Sequence, residues 1–473
     1  MRENLQLKKL KRKNKMKTYK KWVVLLSVLV AFFSTSQQVM TYENYKFLVL
    51  KNHPFLQKAY NVQNIGATER MKAKGFFDPA FGSSIEQKKF AGNEYYWMSS
   101  SSLKLPTWVG ATLKSGYDAN RGDYLSKEMY IPSSGLWYMG VELPLGQGLL
   151  FDERRAQLKQ AKIAGQLGET ERKLIINDLA LDAFSSYWLW VEAYRKVSIA
   201  KEGVELAKQR LAATQSQVDQ GESPSIDTVE ALMQFESRSI DLLQSENQYK
   251  NTSILTELYL WTDSLQPAIL PSNTVPQDAI EFIQDDVLDL QFEMDSLPLF
   301  QQVKYKVDQL EVELKWKREQ LKPTLNIGYN LLTQPIGTNN FQSLSPNNYK
   351  FGMTAYVPLL LRKERASFKQ AKLKLENATL DVATKKRDFQ TKIQTLKNEI
   401  KQMKQMQITQ MKLVEHSKSL RDSEQIRFES GESSLFLVNA REVSYLSSKL
   451  KLVEIEIKLM VNLLKLKWLI NDF

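Results

Sequence analysis

The chain has 473 residues, of which 43% are hydrophobic and 25% charged, with a formal net charge of +12, two histidines and no cysteine. The lack of cysteine excludes disulfides, thiol nucleophiles and zinc–thiolate sites. Residues 1–36 hold ten Lys or Arg and one Glu, so their removal lowers the net charge from +12 to about +3. The basic charge therefore gives no reason to expect a nucleic-acid partner.

The N-terminal segment has the pattern of a secretory signal peptide. A basic stretch is followed by an apolar run over residues 22–33 and by small residues at 34–36. This run of twelve residues, in which only Ser27 is polar, is short for a helix that spans a bilayer. We interpret residues 1–36 as a signal peptide and not as an anchor. Translation could start at Met1 or at Met16.

The first half of the predicted mature chain reads as helix, strands, long helix, turn and helix. A helix is predicted over 42–74, restarting at Pro54, a residue favoured in the first turn. Alternating polar and apolar residues then predict strands, at Ala80–Phe90, Tyr95–Leu105, Trp108–Tyr117 and Gly135–Leu143. A proline-free helical pattern runs from Arg155 to Asp219, and a second helix returns over Ile226–Leu260.

The second half repeats this order after an acidic connector. Residues 251–303 contain nine Asp or Glu and no Lys or Arg, with a short helix predicted around Ala279–Leu290. Strands are predicted at Thr324–Leu331 and Tyr349–Val357. A long helix follows, with an apolar seam at heptad-like spacing, formed by Phe389, Ile393, Leu396, Ile400 and Met403. A returning helix is predicted over Leu435–Ile470.

Two landmarks recur at one offset of 210 residues. The octapeptide that starts at Arg155 resembles the one that starts at Arg365, and Gly221-Glu-Ser recurs as Gly431-Glu-Ser. Equal spacing over this distance tolerates no insertion, which indicates a continuous helix about 100 Å long. The strand regions differ by 30 residues, and the extra segment at about 91–134 could add strands or form a surface hairpin.

These patterns divide the chain into four parts. Residues 1–36 are the signal, 37–262 the first repeat, 263–297 the acidic connector and 298–473 the second repeat. The strands lie at about 80–143 and 324–357, and the helical hairpins at about 155–260 and 365–470.

With these motifs the chain resembles the TolC family of outer-membrane efflux proteins, in the version common among Bacteroidota-type bacteria. The resemblance depends on a strand-ending proline before each octapeptide, Pro144 and Pro358, and on the paired signatures at 221–231 and 427–441. It implies a mainly α fold with a β-barrel portion, in which a trimeric transmembrane β-barrel sits on a long periplasmic α-helical tunnel. It also implies a homotrimer in the outer membrane of a Gram-negative cell, contacting outer-membrane lipid and extending into the periplasm.

The function that the resemblance implies is a passive exit duct of a tripartite efflux or type I secretion system. Such a duct docks a periplasmic adaptor protein and an inner-membrane transporter. It is not an enzyme and needs no cofactor, metal or nucleic acid. Its cargo, whether drugs, metal ions or polypeptides, is chosen by the pump and stays open.

The resemblance also assigns site residues. The adaptor-docking tip comprises two triplets, Gly221, Glu222, Ser223 and Gly431, Glu432, Ser433. In many members, carboxylates six and nine residues after the second glycine form rings at the tunnel mouth, but here those positions are Leu437 and Ala440. The gate candidates are Asp227, Glu230, Leu437 and Arg441, and the constriction could be acidic or hydrophobic.

The alternative from another class is a periplasmic coiled-coil adaptor or tether without a pore. Adaptors usually carry one long hairpin, whereas this sequence predicts two. Catalysis is not expected, because no nucleophile or metal-binding motif is present. The segment Gly146-Gln-Gly148 lacks the Gly-Lys-Ser/Thr of a phosphate loop and is interpreted as a turn, and His53 and His416 are expected to be structural or solvated.

Overall fold

The computed structural model describes residues 38–278, 293–334 and 345–473. The predicted signal peptide and the predicted helix around Ala279–Leu290 lie outside the described residues. The element order is helix, strands, long helix and helix, twice over. This order confirms the duplicated fold class that the sequence predicts.

The helices follow the predicted order closely. In chain order they are α1 (Tyr42–Asn52), α2 (Pro54–Lys74), α3 (Glu153–Asp219), α4 (Ser225–Glu257), α5 (Pro298–Glu319), α6 (Arg362–Glu429) and α7 (Leu435–Ile470). Local chemistry explains several starts. The Thr41 hydroxyl accepts a hydrogen bond from the Asn44 amide at 3.2 Å and caps α1. Pro54 and Pro298 occupy first positions, where a missing amide hydrogen costs nothing.

A carboxylate caps the long helix α3. Asp152 accepts a hydrogen bond from the Arg155 amide at 3.0 Å and another from its guanidinium at 2.8 Å. Burial opposes ionisation of this carboxyl, but the hydrogen bonds from Arg155 and Arg154 outweigh it and lower the pKa of Asp152. The guanidinium of Arg155 also donates to the Leu149 carbonyl at 2.9 Å. The arginine that opens the octapeptide motif therefore joins α3 to the preceding loop.

The strands are β1 (Gln38–Met40), β2 (Ala80–Phe90), β3 (Asn93–Pro106), β4 (Thr112–Arg121), β5 (Leu136–Pro144), β6 (Thr274–Pro276), β7 (Thr324–Thr333) and β8 (Tyr349–Tyr356). Six of them form one antiparallel sheet in the order β2-β3-β4-β5-β7-β8. The extra segment of the first repeat thus adds β3 and β4 to the sheet. It is not a separate surface hairpin.

Three strand starts differ from the prediction. The second strand was predicted from Tyr95 but begins at Asn93, because Asn93 and Glu94 already pair with Phe90 and Lys89 of β2. The third strand was predicted from Trp108 but begins at Thr112, because the Thr107 amide donates to the Ala111 carbonyl at 2.8 Å and closes a turn. Gly135 was predicted to start the fourth strand, but its φ of +81° is a turn conformation and β5 starts one residue later.

The register gives the sheet two chemically different faces. One face is mainly apolar, with serines 83, 99, 101 and 115 among its polar members. Its large side chains include Phe81, Ile85, Leu103, Leu113, Trp137, Met139, Val141, Ile327, Tyr329, Leu331, Phe351 and Met353. The opposite face carries polar groups, including Glu86, Lys104, Lys114, Asp118, Asn120, Glu142, Asn326, Asn330, Lys350 and Thr354.

The chain forms two compact units. The unit that holds the sheet contains residues 55–179, 293–334, 345–397 and 466–473. In it, α2 and α3 approach closely at glycines. A Cβ on Gly66 would lie 2.9 Å from the Ala164 carbonyl oxygen, and a Cβ on Gly168 would lie 3.1 Å from the Val62 carbonyl oxygen. Only residues without a side chain allow this separation.

The other unit contains residues 38–54, 180–278 and 398–465, and it has an aromatic core. Tyr187 and Trp190 of α3 are fully buried in it. The Tyr187 hydroxyl donates to the Met40 carbonyl at 2.8 Å, beside the parallel pair of β1 and β6. Burial raises the pKa of Tyr187 to about 12, so this donor stays protonated at neutral pH.

Candidate functional site

The candidate site consists of two helical turns, a first turn at residues 220–224 between α3 and α4 and a second turn at 430–434 between α6 and α7. Both have the same backbone geometry. Gly221 and Gly431 have φ values of +76° and +75°. In the first turn the Glu222 amide donates to the Gln217 carbonyl at 2.9 Å, and in the second the Glu432 amide donates to the Arg427 carbonyl at 2.9 Å. This six-to-one bond with glycine at the left-handed position defines a Schellman end.

The six predicted tip residues lie in these two turns. Gly221, Glu222, Gly431 and Glu432 are exposed, and Ser223 and Ser433 are half-buried. Each turn therefore presents one solvent-exposed carboxylate. The following helices start differently, because Pro224 caps α4 without a side-chain bond, whereas the Ser434 hydroxyl accepts from the Leu437 amide at 3.4 Å.

Two of the four gate candidates, Glu230 and Arg441, make separate side-chain contacts with neighbouring helices. Glu230 of α4 accepts a hydrogen bond from the Asn439 side chain of α7 at 3.2 Å. Arg441 lies 3.7 Å from the carboxylate of Glu424. Leu437 is 38% exposed and Asp227 is half-buried. Glu230 and Arg441 thus help to hold α4, α6 and α7 together, and Leu437 leaves an apolar side chain open to contact.

Glu424 organises the second turn, and the sequence reasoning did not select it. It is only 5% exposed and accepts a hydrogen bond from the Ser433 hydroxyl at 2.6 Å. Arg427 lies 3.8 Å away. The Ser433 hydrogen bond, followed by the charges of Arg427 and Arg441, lowers the pKa of Glu424. This carboxylate is therefore ionised at neutral pH and joins the turn to both flanking helices.

A second missed feature is a buried ion pair between Arg210 of α3 and Glu442 of α7. Their side chains are 9% and 6% exposed, and their charged groups are in direct contact. The guanidinium also donates to the Gln425 side chain of α6 at 2.9 Å. Burial raises the pKa of Glu442 and lowers the pKa of Arg210. The charge of each residue opposes this effect, because it favours the ionised form of its partner. The pair connects three helices near the turns.

The repeat offset distinguishes both features once their burial is known. At an offset of 210, Arg210 and Glu442 correspond to Leu420 and Leu232, and Glu424 corresponds to Thr214. The two halves share their turns and helix lengths, so a charge present in only one half at a buried position is a local departure from the duplication. The sequence signal is a charged residue whose counterpart 210 positions away is uncharged.

Within the described ranges, no group of three or more His, Cys, Asp or Glu side chains is arranged to hold a metal ion. Across those same ranges, no helix has both the length and the apolarity needed to cross a membrane. His53 is nearly buried, and burial lowers its pKa, whereas His416 is exposed.

Solved structures share this fold, although no family model and no curated protein matches the sequence. The Campylobacter jejuni outer membrane channel CmeC superposes with a TM-score of 0.64 at 13% identity, covering 91% of this chain and 86% of that one. The open state of the Neisseria gonorrhoeae outer membrane channel MtrE gives 0.65 at 14% identity, covering 91% and 88%. The Vibrio cholerae outer membrane protein VceC gives 0.63 at 11%, covering 90% and 95%.

Proposed function

Since this chain has the fold of the TolC-family outer membrane channels, we propose that it is the outer-membrane exit duct of a tripartite efflux or type I secretion system. In this proposal three copies form a passive channel that docks a periplasmic adaptor and an inner-membrane transporter. The duct itself catalyses no reaction and needs no cofactor.

The observation that most supports the proposal is the sheet with one mainly apolar and one polar face. Phe81, Ile85 and Met353 are 73%, 67% and 59% exposed on the mainly apolar face. Large exposed apolar surfaces mark sites that contact a membrane or a partner. Strands that alternate between apolar and polar side chains are typical of a wall between lipid and water. The sheet therefore suits a position in the outer membrane.

The helices suit the periplasmic part of a duct. With 67 and 68 residues, α3 and α6 are each about 100 Å long. Helices of this length exceed what a globular core requires. In this proposal they form the wall of a tunnel, and the turns at 220–224 and 430–434 form the end that docks the adaptor.

The contacts near the turns support a gate at that end. Glu230 with Asn439, and Arg441 with Glu424, connect neighbouring helices where the tunnel would narrow. Asp227 supplies a carboxylate in the first turn of α4, and Leu437 supplies an exposed apolar side chain in α7. We propose that these four residues set the closed gate and that Leu437 forms its apolar constriction.

The test is the state of the protein in its own cell envelope. The proposal expects a trimer in the outer-membrane fraction that dissociates on heating in detergent, and that conducts ions in planar bilayers. A monomer that carbonate extracts from the envelope would instead support the adaptor or tether. Only the duct gives the six-stranded sheet and its apolar face a role.

A further inference from the structure

The six-stranded sheet has two edges without a partner. Within residues 38–278, 293–334 and 345–473, β2 and β8 each pair with a strand on one side only. Every residue of both strands is exposed. An unpaired strand edge presents a row of free amide and carbonyl groups that is suited to pairing with another strand. In lipid these groups have no water to bind, so the edges require partners there.

The directions of the edge strands allow β8 of one copy to pair with β2 of a second copy. All five strand pairings are antiparallel. Because the number of strands is even, β2 and β8 run in opposite directions. A second copy placed beside the first would therefore continue the same antiparallel order, as in membrane barrels.

The duplication predicts the register of this contact. The last strand of the first repeat, β5, pairs with the first strand of the second repeat, β7, with Gly140 opposite Asn330. Gly140 lies four residues before Pro144, and Asn330 lies seven residues after Pro323. The corresponding residues in β8 and β2 are Thr354, four before Pro358, and Glu86, seven after Pro79.

This register keeps both faces continuous. Glu86 and Thr354 lie on the polar face of the sheet, and their neighbours Ile85 and Ala355 lie on the apolar face. A shift by one residue would put apolar side chains beside polar ones, because side chains alternate between faces.

We propose that β2 pairs with β8 of a second copy of this chain, with Glu86 opposite Thr354, so that three copies close one eighteen-stranded wall. This rests on the three-copy assembly proposed above and extends it. Because β3 and β4 belong to the sheet, each copy contributes six strands to the wall. Barrels of 16–18 strands leave an aqueous channel. The wall would therefore not limit the size of the cargo, and the limit would lie at the gate.

The lack of cysteine allows a direct test by disulfide cross-linking. E86C is combined in turn with K350C, G352C, T354C and Y356C, which all lie on the polar face. Opposed residues in antiparallel strands have Cα atoms about 4.5–5.5 Å apart, within the range of a disulfide. Oxidised envelopes should give the strongest cross-linking with T354C, in a ladder that ends at three copies. E86C alone is the matched control and should give no ladder.

Each of the other cross-linking results contradicts a specific part of the proposal. A maximum at another position overturns the register. A ladder that ends at two copies, or a disulfide within one copy, overturns the eighteen-stranded closure. A heat-modifiable, conducting trimer that forms no disulfide in any of the four variants overturns the strand pairing and leaves the proposed duct intact. An envelope without trimer or conductance overturns the duct as well.

Discussion

At the residue scale, the charged groups near the turns depart from the duplication. The buried Arg210–Glu442 pair joins the two halves, and at the position that corresponds to each residue the opposite half has a leucine, Leu420 or Leu232. Replacing one partner of a buried pair leaves an unpaired charge in a site with little water, whereas replacing both leaves none. The stability of this region should therefore depend on both charges being present or both being absent.

We predict that R210L and E442L each destabilise the protein, by about 3–5 kcal/mol, since each leaves one buried charge. The double variant R210L/E442L should recover most of this loss. The measurement is the midpoint of heat unfolding followed by circular dichroism. As a control, K451A removes the exposed contact with Glu454, which is 3.3 Å long, and should change stability by at most about 1 kcal/mol. Equal stability of both single variants and the wild type would contradict the prediction.

A pH dependence should be specific to the second turn. The folded-state pKa of Glu424 is lowered from 4.5, mainly by the Ser433 hydroxyl. A lowered pKa contributes stability that is fully present above the unfolded value and is lost as pH falls through the folded value. Hydrogen-exchange protection of residues 430–434 should therefore persist at pH 4.5 and decrease at lower pH.

Two controls separate this effect from general acid unfolding. The first turn at 220–224 has Thr214 at the corresponding position and should lose no protection over the same range. In E424Q the second turn should be less protected at neutral pH and should show little further change on acidification. Parallel loss of protection in both turns would count against a role for Glu424.

At the scale of elements, the α2–α3 contact depends on specific glycines. A Cβ on Gly66 would lie 2.9 Å from the Ala164 carbonyl oxygen, whereas a Cβ on Gly165 would lie 3.7 Å from its nearest neighbour, the Gly66 carbonyl oxygen. Backbone atoms cannot move aside as a side chain can. The two glycines therefore differ in what a methyl group would do.

We predict that G66A destabilises the protein by about 1–3 kcal/mol through overpacking. The matched control G165A should be neutral or should stabilise by up to about 1 kcal/mol, because alanine favours the helix more than glycine. The measurement is the midpoint of heat unfolding of the two purified variants, compared with that of the wild type. A stable G66A would show that the helices separate without cost.

The sequence predicts helices and turns better than strand starts. α7 begins and ends at the predicted residues, Leu435 and Ile470, because a serine-capped start and a long apolar pattern define it. The start of β4 is shifted because the Thr107 hydroxyl and amide both bond to Ala111 and extend the turn. Such local bonds between side chain and backbone are not visible in a pattern of alternation.

The sequence locates the two turns, where backbone geometry decides, but not the buried charges near them, where burial decides. Gly221 and Gly431 mark the turns in sequence because few other residues adopt their positive φ. Glu424 and Glu442 look like ordinary surface residues of a charged helix. Their burial depends on helices that are distant in sequence, so no local pattern reveals it.

At the scale of the whole molecule, the proposed gate predicts a change in conductance. Leu437 is the exposed apolar gate candidate, and replacing it with serine should hydrate the constriction and raise the single-channel current of the reconstituted trimer. The matched control is F436S, since Phe436 is an adjacent residue that is 68% exposed and is not a gate candidate. Unchanged currents in L437S would exclude Leu437 as the constriction, and an equal rise in F436S would show that position 437 has no special role.

The nearly equal lengths of α3 and α6, 67 and 68 residues, limit how this protein can change over evolutionary time. Each residue added inside such a helix turns everything beyond it by about 100° and moves it by about 1.5 Å. A single inserted residue would rotate Glu222 or Glu432 away from the direction it now faces. Insertions of about seven or eleven residues nearly preserve the phase, and they would have to occur in both halves and in both returning helices. Longer relatives should therefore differ from this chain by matched insertions of about seven or eleven residues, so that four helices lengthen together.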